Sequence, residues 1–166
     1  MSIQFFDSNC MLGQWKKNVG SCFYTADDLI KFIDKAGISK CLVFSSLAQY
    51  GEIQTGNDVL IKNIKNYERL VPCAVAMPHH TKEFPHPLKF YKYLVDNNIK
   101  AVRIFPNFQG ISLYTWVWGE LFSVLENAKI PVFIDFSVRH WSQEINWEQI
   151  KNICESFPNL PVVLIR

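Results

Sequence analysis

The sequence is short of the features that mark several common classes of protein. Nowhere do five or more basic residues run together, and 17 Lys and Arg against 15 Asp and Glu leave a net charge of only +2. Such scattered charge predicts neither a nucleic-acid groove nor a polybasic membrane patch. No apolar stretch approaches the roughly 20 residues that span a bilayer, and the N-terminus shows no basic segment leading into an apolar core and a small-residue cleavage site. The expected location is cytoplasmic, with no membrane and no nucleic acid among the partners. Five cysteines, Cys10, Cys22, Cys41, Cys73 and Cys154, form no Cys-x-x-Cys pair and are odd in number, which fits reduced thiols better than a disulfide framework. Glycine is thin as well. Gly110 and Gly119 build no phosphate-cradling loop after a strand, which argues against a nucleotide-binding open sheet.

What the sequence does hold is apolar. With 166 residues, 49% of them hydrophobic and 14% aromatic, it has the size and composition of a single folded domain spanning 1–166. The first apolar run, Phe5-Phe6-Asp7-Ser8-Asn9-Cys10-Met11-Leu12-Gly13, ends abruptly in small polar groups. In an extended strand alternate residues share a face, so Ile3, Phe5, Asp7, Asn9 and Met11 fall on one side and Gln4, Phe6, Ser8 and Cys10 on the other. Cys10 is either a buried thiol or, beside this strand's polar end, a reactive one. Gln14 to Tyr24 is long for a connection and is a candidate roof over the strand. Thr25 with Asp28 three residues on reads as a helix start, Leu29, Ile30, Phe32, Ile33 and Ala36 as its apolar stripe, and Gly37 as its stop.

The same alternation then repeats. Further strands are expected at 40–46, 70–77 with Pro72 at its beginning, 100–105, 131–136 and 161–165. Helices are expected near 59–67, 88–95 with Leu88, Tyr91, Leu94 and Val95 as its stripe, 121–128 and 145–157; 47–57 reads as polar and flexible, and 78–87 and 106–116 as loops. Apolar strands alternating with amphipathic helices imply parallel β-α units in an α/β fold.

The first strand also carries a family signal. Its Asp7-x-Asn9-x-Met11 row followed by Leu12-Gly13 resembles the first-strand signature of the amidohydrolase superfamily, where Asp-x-His-x-His supplies two metal ligands. The segments 36–45, 68–74 and 128–134 are similar to the second, third and fifth strand regions of the amidohydrolase-related branch that includes carboxymuconate-semialdehyde-type decarboxylases. The resemblance covers nearly the whole chain. It implies a parallel (β/α) barrel of the TIM type, here its N-terminal portion with about six of eight strands. An open sheet of that kind leaves an apolar edge at 162–165, so the expected partner is the remainder of a longer chain or a second copy in a homo-oligomer.

In such barrels the reacting groups lie at the C-terminal ends of strands and in the loops that follow, which selects Asp7, Asn9, Met77, Arg103, Asp135 and Arg166. The resemblance maps the family's first-strand histidines onto Asn9 and Met11, its fifth-strand histidine onto Asp135 and its sixth-strand histidine onto Arg166. The family implies a divalent metal, zinc above all, but amide and thioether are poor ligands and a guanidinium repels a cation. No metal ligand is therefore assigned, and the protein as purified is expected to hold less than one equivalent of zinc, manganese or iron.

His79, His80, His86 and His140 all follow strands, where an imidazole is either a substrate contact, a base or substitute ligand, or a solvated side chain. Arg103, flanked by helix-facing Val102 and Ile104, aims its guanidinium inward. It is either a clamp for a substrate carboxylate or phosphate or an internal pair with Asp7 or Asp135. Asp135 and Asp7 are the catalytic candidates, Asp135 as general acid or base or else as counter-ion to Arg103; Asn9, His79, His80, Arg103 and His140 are the substrate-binding ones. Trp116, Trp118 and Trp141, read as loop residues, either wall a pocket or cap the core. The resemblance implies a protein acting on a small, anionic organic molecule by hydrolysis or decarboxylation with a degraded metal site; the alternative is a non-catalytic barrel used for ligand binding or assembly.

Overall fold

A computed structural model of the chain describes residues 3–14, 22–136 and 145–166. Its backbone divides into two compact units, Met1–Val75 and Ala76–Arg166. Every strand pairing described in either unit is parallel, and helices connect successive strands, as the β-α alternation predicts.

In the first unit β1 (Phe5–Leu12) pairs with β2 (Ile38–Ser45), which pairs with β3 (Leu70–Val75). Helix α1 (Ala26–Lys35) opens on a complete capping box: the Asp28 backbone N–H donates to Thr25 Oγ1 at 3.2 Å and the Thr25 N–H donates to Asp28 Oδ2 at 3.2 Å. Past its C-cap at Ala36, Gly37 takes φ +68°, a left-handed turn that a side chain would disfavour. Leu29 and Ile33, one turn apart on α1, are fully buried with Cys10, Leu12, Cys41, Val43, Leu60 and Ile64. Each such aliphatic chain withdrawn from water contributes about 1.5–3 kcal/mol.

The stretch expected to be polar and flexible at 47–57 is instead helical, forming α2 (Ser46–Gln49) and the start of α3 (Ile53–Ile64). Packing overrides local preference there. A Cβ on Gly56 would stand 2.3 Å from the Ala48 backbone nitrogen, so only glycine lets α3 close on α2. Pro72 is the third residue of β3 rather than its first and pairs with Val43, lending no N–H to the ladder.

In the second unit β4 (Ala101–Ile104), β5 (Val132–Asp135) and β6 (Val162–Ile165) run in parallel with Arg103, Phe133 and Val163 level across the three. Helix α4 (Pro87–Asp96) begins at an N-cap on His86 with Pro87 in its first turn, where a missing N–H costs nothing. Its buried stripe is Pro87, Phe90 and Leu94; Leu88 and Val95, assigned inward by the sequence pattern, are exposed. The expected loop at 106–116 contains α5 (Pro106–Gln109) and the first turn of α6 (Thr115–Asn127). Trp116 and Trp118 are therefore helical, not loop, residues. Trp118 is fully buried, stacks on Phe122 with ring centres 5.7 Å apart, and donates its indole N–H to the Ser112 carbonyl at 2.9 Å, while Trp116 is exposed. Helix α7 (Trp147–Ser156), capped by Asn146, leads into β6. No helix among the described residues is long and apolar enough to cross a membrane.

Candidate functional site

β1 departs from strict alternation. Its register against β2 slips between Asp7 and Cys10, so that Asp7 pairs with Cys41 but Cys10 pairs with Val43. One extra residue on β1 is a bulge, and it reverses which residues share a side. Cys41 and Val43 face the helices within the buried cluster, which sets Asp7 on that side too, beside Cys10, instead of on the face shared by Met11 and Phe44. The bulge turns the Asn9 N–H onto Asp7 Oδ1 at 2.9 Å, a local side-chain bond of the kind aspartate offers in turns. Asp7 is half-buried and Asn9 exposed. The Cys10 thiol is pushed far above its ordinary range, first by its hydrogen bond with Cys41, then by burial and by Asp7. That favours the protonated thiol, which lies among the side chains of the buried cluster.

In the second unit Arg103 and Asp135 form a buried ion pair. Arg103 Nε donates to Asp135 Oδ2 at 2.9 Å, Nη2 donates to the same oxygen, and the two side chains are 3% and 2% exposed. The guanidinium carbon lies 5.4 Å from the centre of the Phe105 ring. Alternation explains the meeting: Arg103 is level with Phe133, and Asp135 lies two residues further along the same face of β5. Of the two carboxylates considered for Arg103, Asp135 is the one it engages. Arg166 follows β6 directly and is exposed.

The loop after β3 gathers three polar side chains around α6. His79 Nε2 lies 3.2 Å and His86 Nε2 3.6 Å from the same oxygen, Glu120 Oε2. The His79 and His86 rings meet edge-on with centres 5.2 Å apart. His80 turns away to the Val117 carbonyl, 3.1 Å from its Nε2. Thus His79 and His80, adjacent in sequence, do different things. Glu120 went unnoticed in the sequence because an acidic residue on an exposed helix face is ordinary; its only signal is the fold that carries α6 to the histidine loop. His140, together with Trp15, Arg139 and Trp141, lies outside the described residues.

No family model and no curated protein matches the sequence. Solved structures share its fold. An uncharacterised TIM-barrel protein from Bordetella bronchiseptica is 17% identical with a TM-score of 0.63, over 83% of this chain and 50% of its own. A probable 2-pyrone-4,6-dicarboxylic acid hydrolase from Acinetobacter baumannii, solved with citric acid bound, is 14% identical at a TM-score of 0.64, over 98% of this chain and 58% of its own. A 5-carboxyvanillate decarboxylase from Sphingomonas paucimobilis is 10% identical at 0.69, over 98% and 67%. The chain therefore spans about half the length of the first two of these proteins. Two further neighbours carry the name amidohydrolase, and the six parallel strands of this chain have the fold of part of a TIM-type (β/α) barrel.

Proposed function

We propose that this chain acts on a small carboxylated organic molecule by hydrolysis or decarboxylation, without the metal centre of the fold family. The observation that carries the reading is the Arg103–Asp135 pair, a permanent cation and a carboxylate side by side near the C-terminal ends of β4 and β5. Barrels of this kind carry their reacting groups at those ends. A substrate carboxylate would compete with Asp135 for the guanidinium, which suits planar two-point recognition. In a decarboxylation the electron pair of the broken C–C bond stays on carbon as CO2 leaves, and that carbon takes a proton that comes from water by way of the Asp135 carboxyl. In a hydrolysis the same carboxylate accepts a proton from the water that attacks the acyl carbon, and returns it to the leaving group as the bond to that group breaks. Two neighbours in the comparison, a dicarboxylic acid hydrolase solved with citric acid and a carboxyvanillate decarboxylase, handle carboxylated molecules by their names.

The family's metal does not fit the residues present. Asn9 offers an amide and Met11 a thioether at mapped ligand positions, and Asp135 is engaged by a guanidinium. No step passes through a metal there. The mutual neutralisation of Arg103 and Asp135 also favours a second reading, a barrel that binds a ligand or assembles without catalysis.

Calorimetric titration with citrate and simple dicarboxylates, with product followed by NMR, tests both readings. The double variant Arg103→Met/Asp135→Leu replaces the pair by apolar side chains, a change that buried pairs often tolerate. We expect it to keep a cooperative thermal transition and to bind carboxylates at least about tenfold more weakly. Equal binding by the folded double variant overturns the proposal, and binding without turnover supports the second reading.

A further inference from the structure

We infer that His79, His86 and Glu120 form a binding site for a zinc-class divalent metal ion, separate from the metal positions of the fold family and independent of the Arg103–Asp135 reading. These three residues alone, among the described ones, bring together three ligand atoms of the right chemistry, all within 4.8 Å of one another. Imidazole and carboxylate are both ordinary zinc ligands at about 2.0–2.2 Å, which makes the edge of a tetrahedral site about 3.3–3.5 Å. The two nitrogen-to-oxygen separations, 3.2 and 3.6 Å, match that edge. Closing the remaining edge needs a shift of one side chain on a loop.

The surroundings add to the geometry. His79, with 17% side-chain exposure, sits on the inner side of the cluster, while His86 and Glu120 at 54% and 63% leave it open to solvent. Glu120 stands on a firmly seated helix, between buried Trp118 and the buried pair Leu121 and Phe122. Two imidazoles and one carboxylate leave a fourth position for water, the ligand count of a catalytic rather than a closed structural zinc site. Without metal, both imidazoles approach the same Glu120 oxygen, the point at which a metal ion would draw the three ligand atoms together.

One contact must give way. His86 Nδ1 accepts the Leu88 N–H at 3.4 Å, which keeps the ring's proton on Nε2. Coordination through Nε2 moves that proton to Nδ1, and this long capping bond at the start of α4 is lost. Metal binding is thereby coupled to a small rearrangement where the loop enters α4.

The test is zinc titrated into the chelator-treated full chain against a chromophoric competitor, with cobalt(II) absorption as a second readout. We expect one equivalent of zinc, cobalt bands of tetrahedral type, and a higher thermal midpoint with metal than without. Glu120→Gln, which keeps the shape and removes the charge, should weaken binding at least about tenfold. The double variant His79→Ala/His86→Ala should abolish it, whereas His80→Ala should leave it unchanged. Circular dichroism establishes that each variant is folded. Binding of well under one equivalent by the wild-type chain, or equal zinc affinity in wild type and Glu120→Gln, overturns the assignment.

Discussion

A single phenol shows how a surface contact becomes measurable. Tyr67, in the turn ahead of β3, donates its hydroxyl to Asp27 Oδ1 at 2.8 Å, tying that turn to the first turn of α1. The hydrogen bond to Asp27, followed by desolvation and the carboxylate's charge, raises the phenol above its usual value of 10.0. A raised acid keeps its proton in the folded chain at a pH where the unfolded chain has lost it. Its contribution to stability is therefore complete below pH 10 and declines as the pH climbs through the folded value. In an ultraviolet titration of the tyrosinate band, Asp27→Asn should move part of the absorbance change to lower pH, toward 10, relative to the wild-type chain. A Tyr67→Phe chain should also lose thermal stability less steeply above pH 10 than the wild type. Identical titration curves for wild type and Asp27→Asn would mean that the contact does not persist in solution.

At the scale of elements, Asn57 does for α3 and β3 what a neighbouring strand would do. It is 1% exposed, and its amide exchanges both hydrogen bonds with one residue of the strand: Nδ2 donates to the Val75 carbonyl at 2.8 Å and Oδ1 accepts the Val75 N–H at 2.9 Å. Asn57→Ala leaves a buried donor and a buried acceptor without these partners, at about 1–3 kcal/mol each. Urea unfolding should show a loss of about 2–4 kcal/mol for Asn57→Ala; a loss under about 0.5 kcal/mol would show that the exchange is dispensable. The same residue explains where sequence reading stops. Gly56 and Asn57 have the composition of a loop, and only their tertiary roles, close approach to Ala48 and pairing with Val75, make them helical. The six strands and the Thr25 capping box were legible because short apolar runs and a cap motif are local signals. An inward Arg103 was legible from alternation, but its choice of Asp135 over Asp7 came only from the register of β4 against β5. The bulge that moves Asp7 followed from nothing visible in the row of residues around it, and Glu120 joins the histidines through a contact made only in the fold.

For the whole molecule, the apolar surface left in view within each unit sets an expectation about association. β5 is buried along its length, whereas every residue of β6 is partly or fully exposed, with Leu164 at 41%. In the first unit Ile3, Phe5 and Phe6 show 81%, 58% and 54% of their surface. Apolar strands of parallel sheets are ordinarily covered on both faces, and an uncovered edge is a template for pairing with another chain. At about 25 cal/mol per Å2, leaving several hundred Å2 of such surface in water forgoes on the order of 10 kcal/mol, as much as the net stability of a whole domain. The 166-residue chain by itself is therefore expected to self-associate, and light scattering should give a weight-average mass that rises with concentration above 19.3 kDa. Placing a charge at the two surfaces, in Phe6→Lys/Leu164→Lys, should lower that mass without changing the circular dichroism spectrum. A wild-type chain that stays monodisperse at 19.3 kDa up to about 100 μM, where even a weak interface of Kd near 1 μM is almost fully populated, would show that these strands are content in water and that neither a second copy nor further chain is needed to cover them.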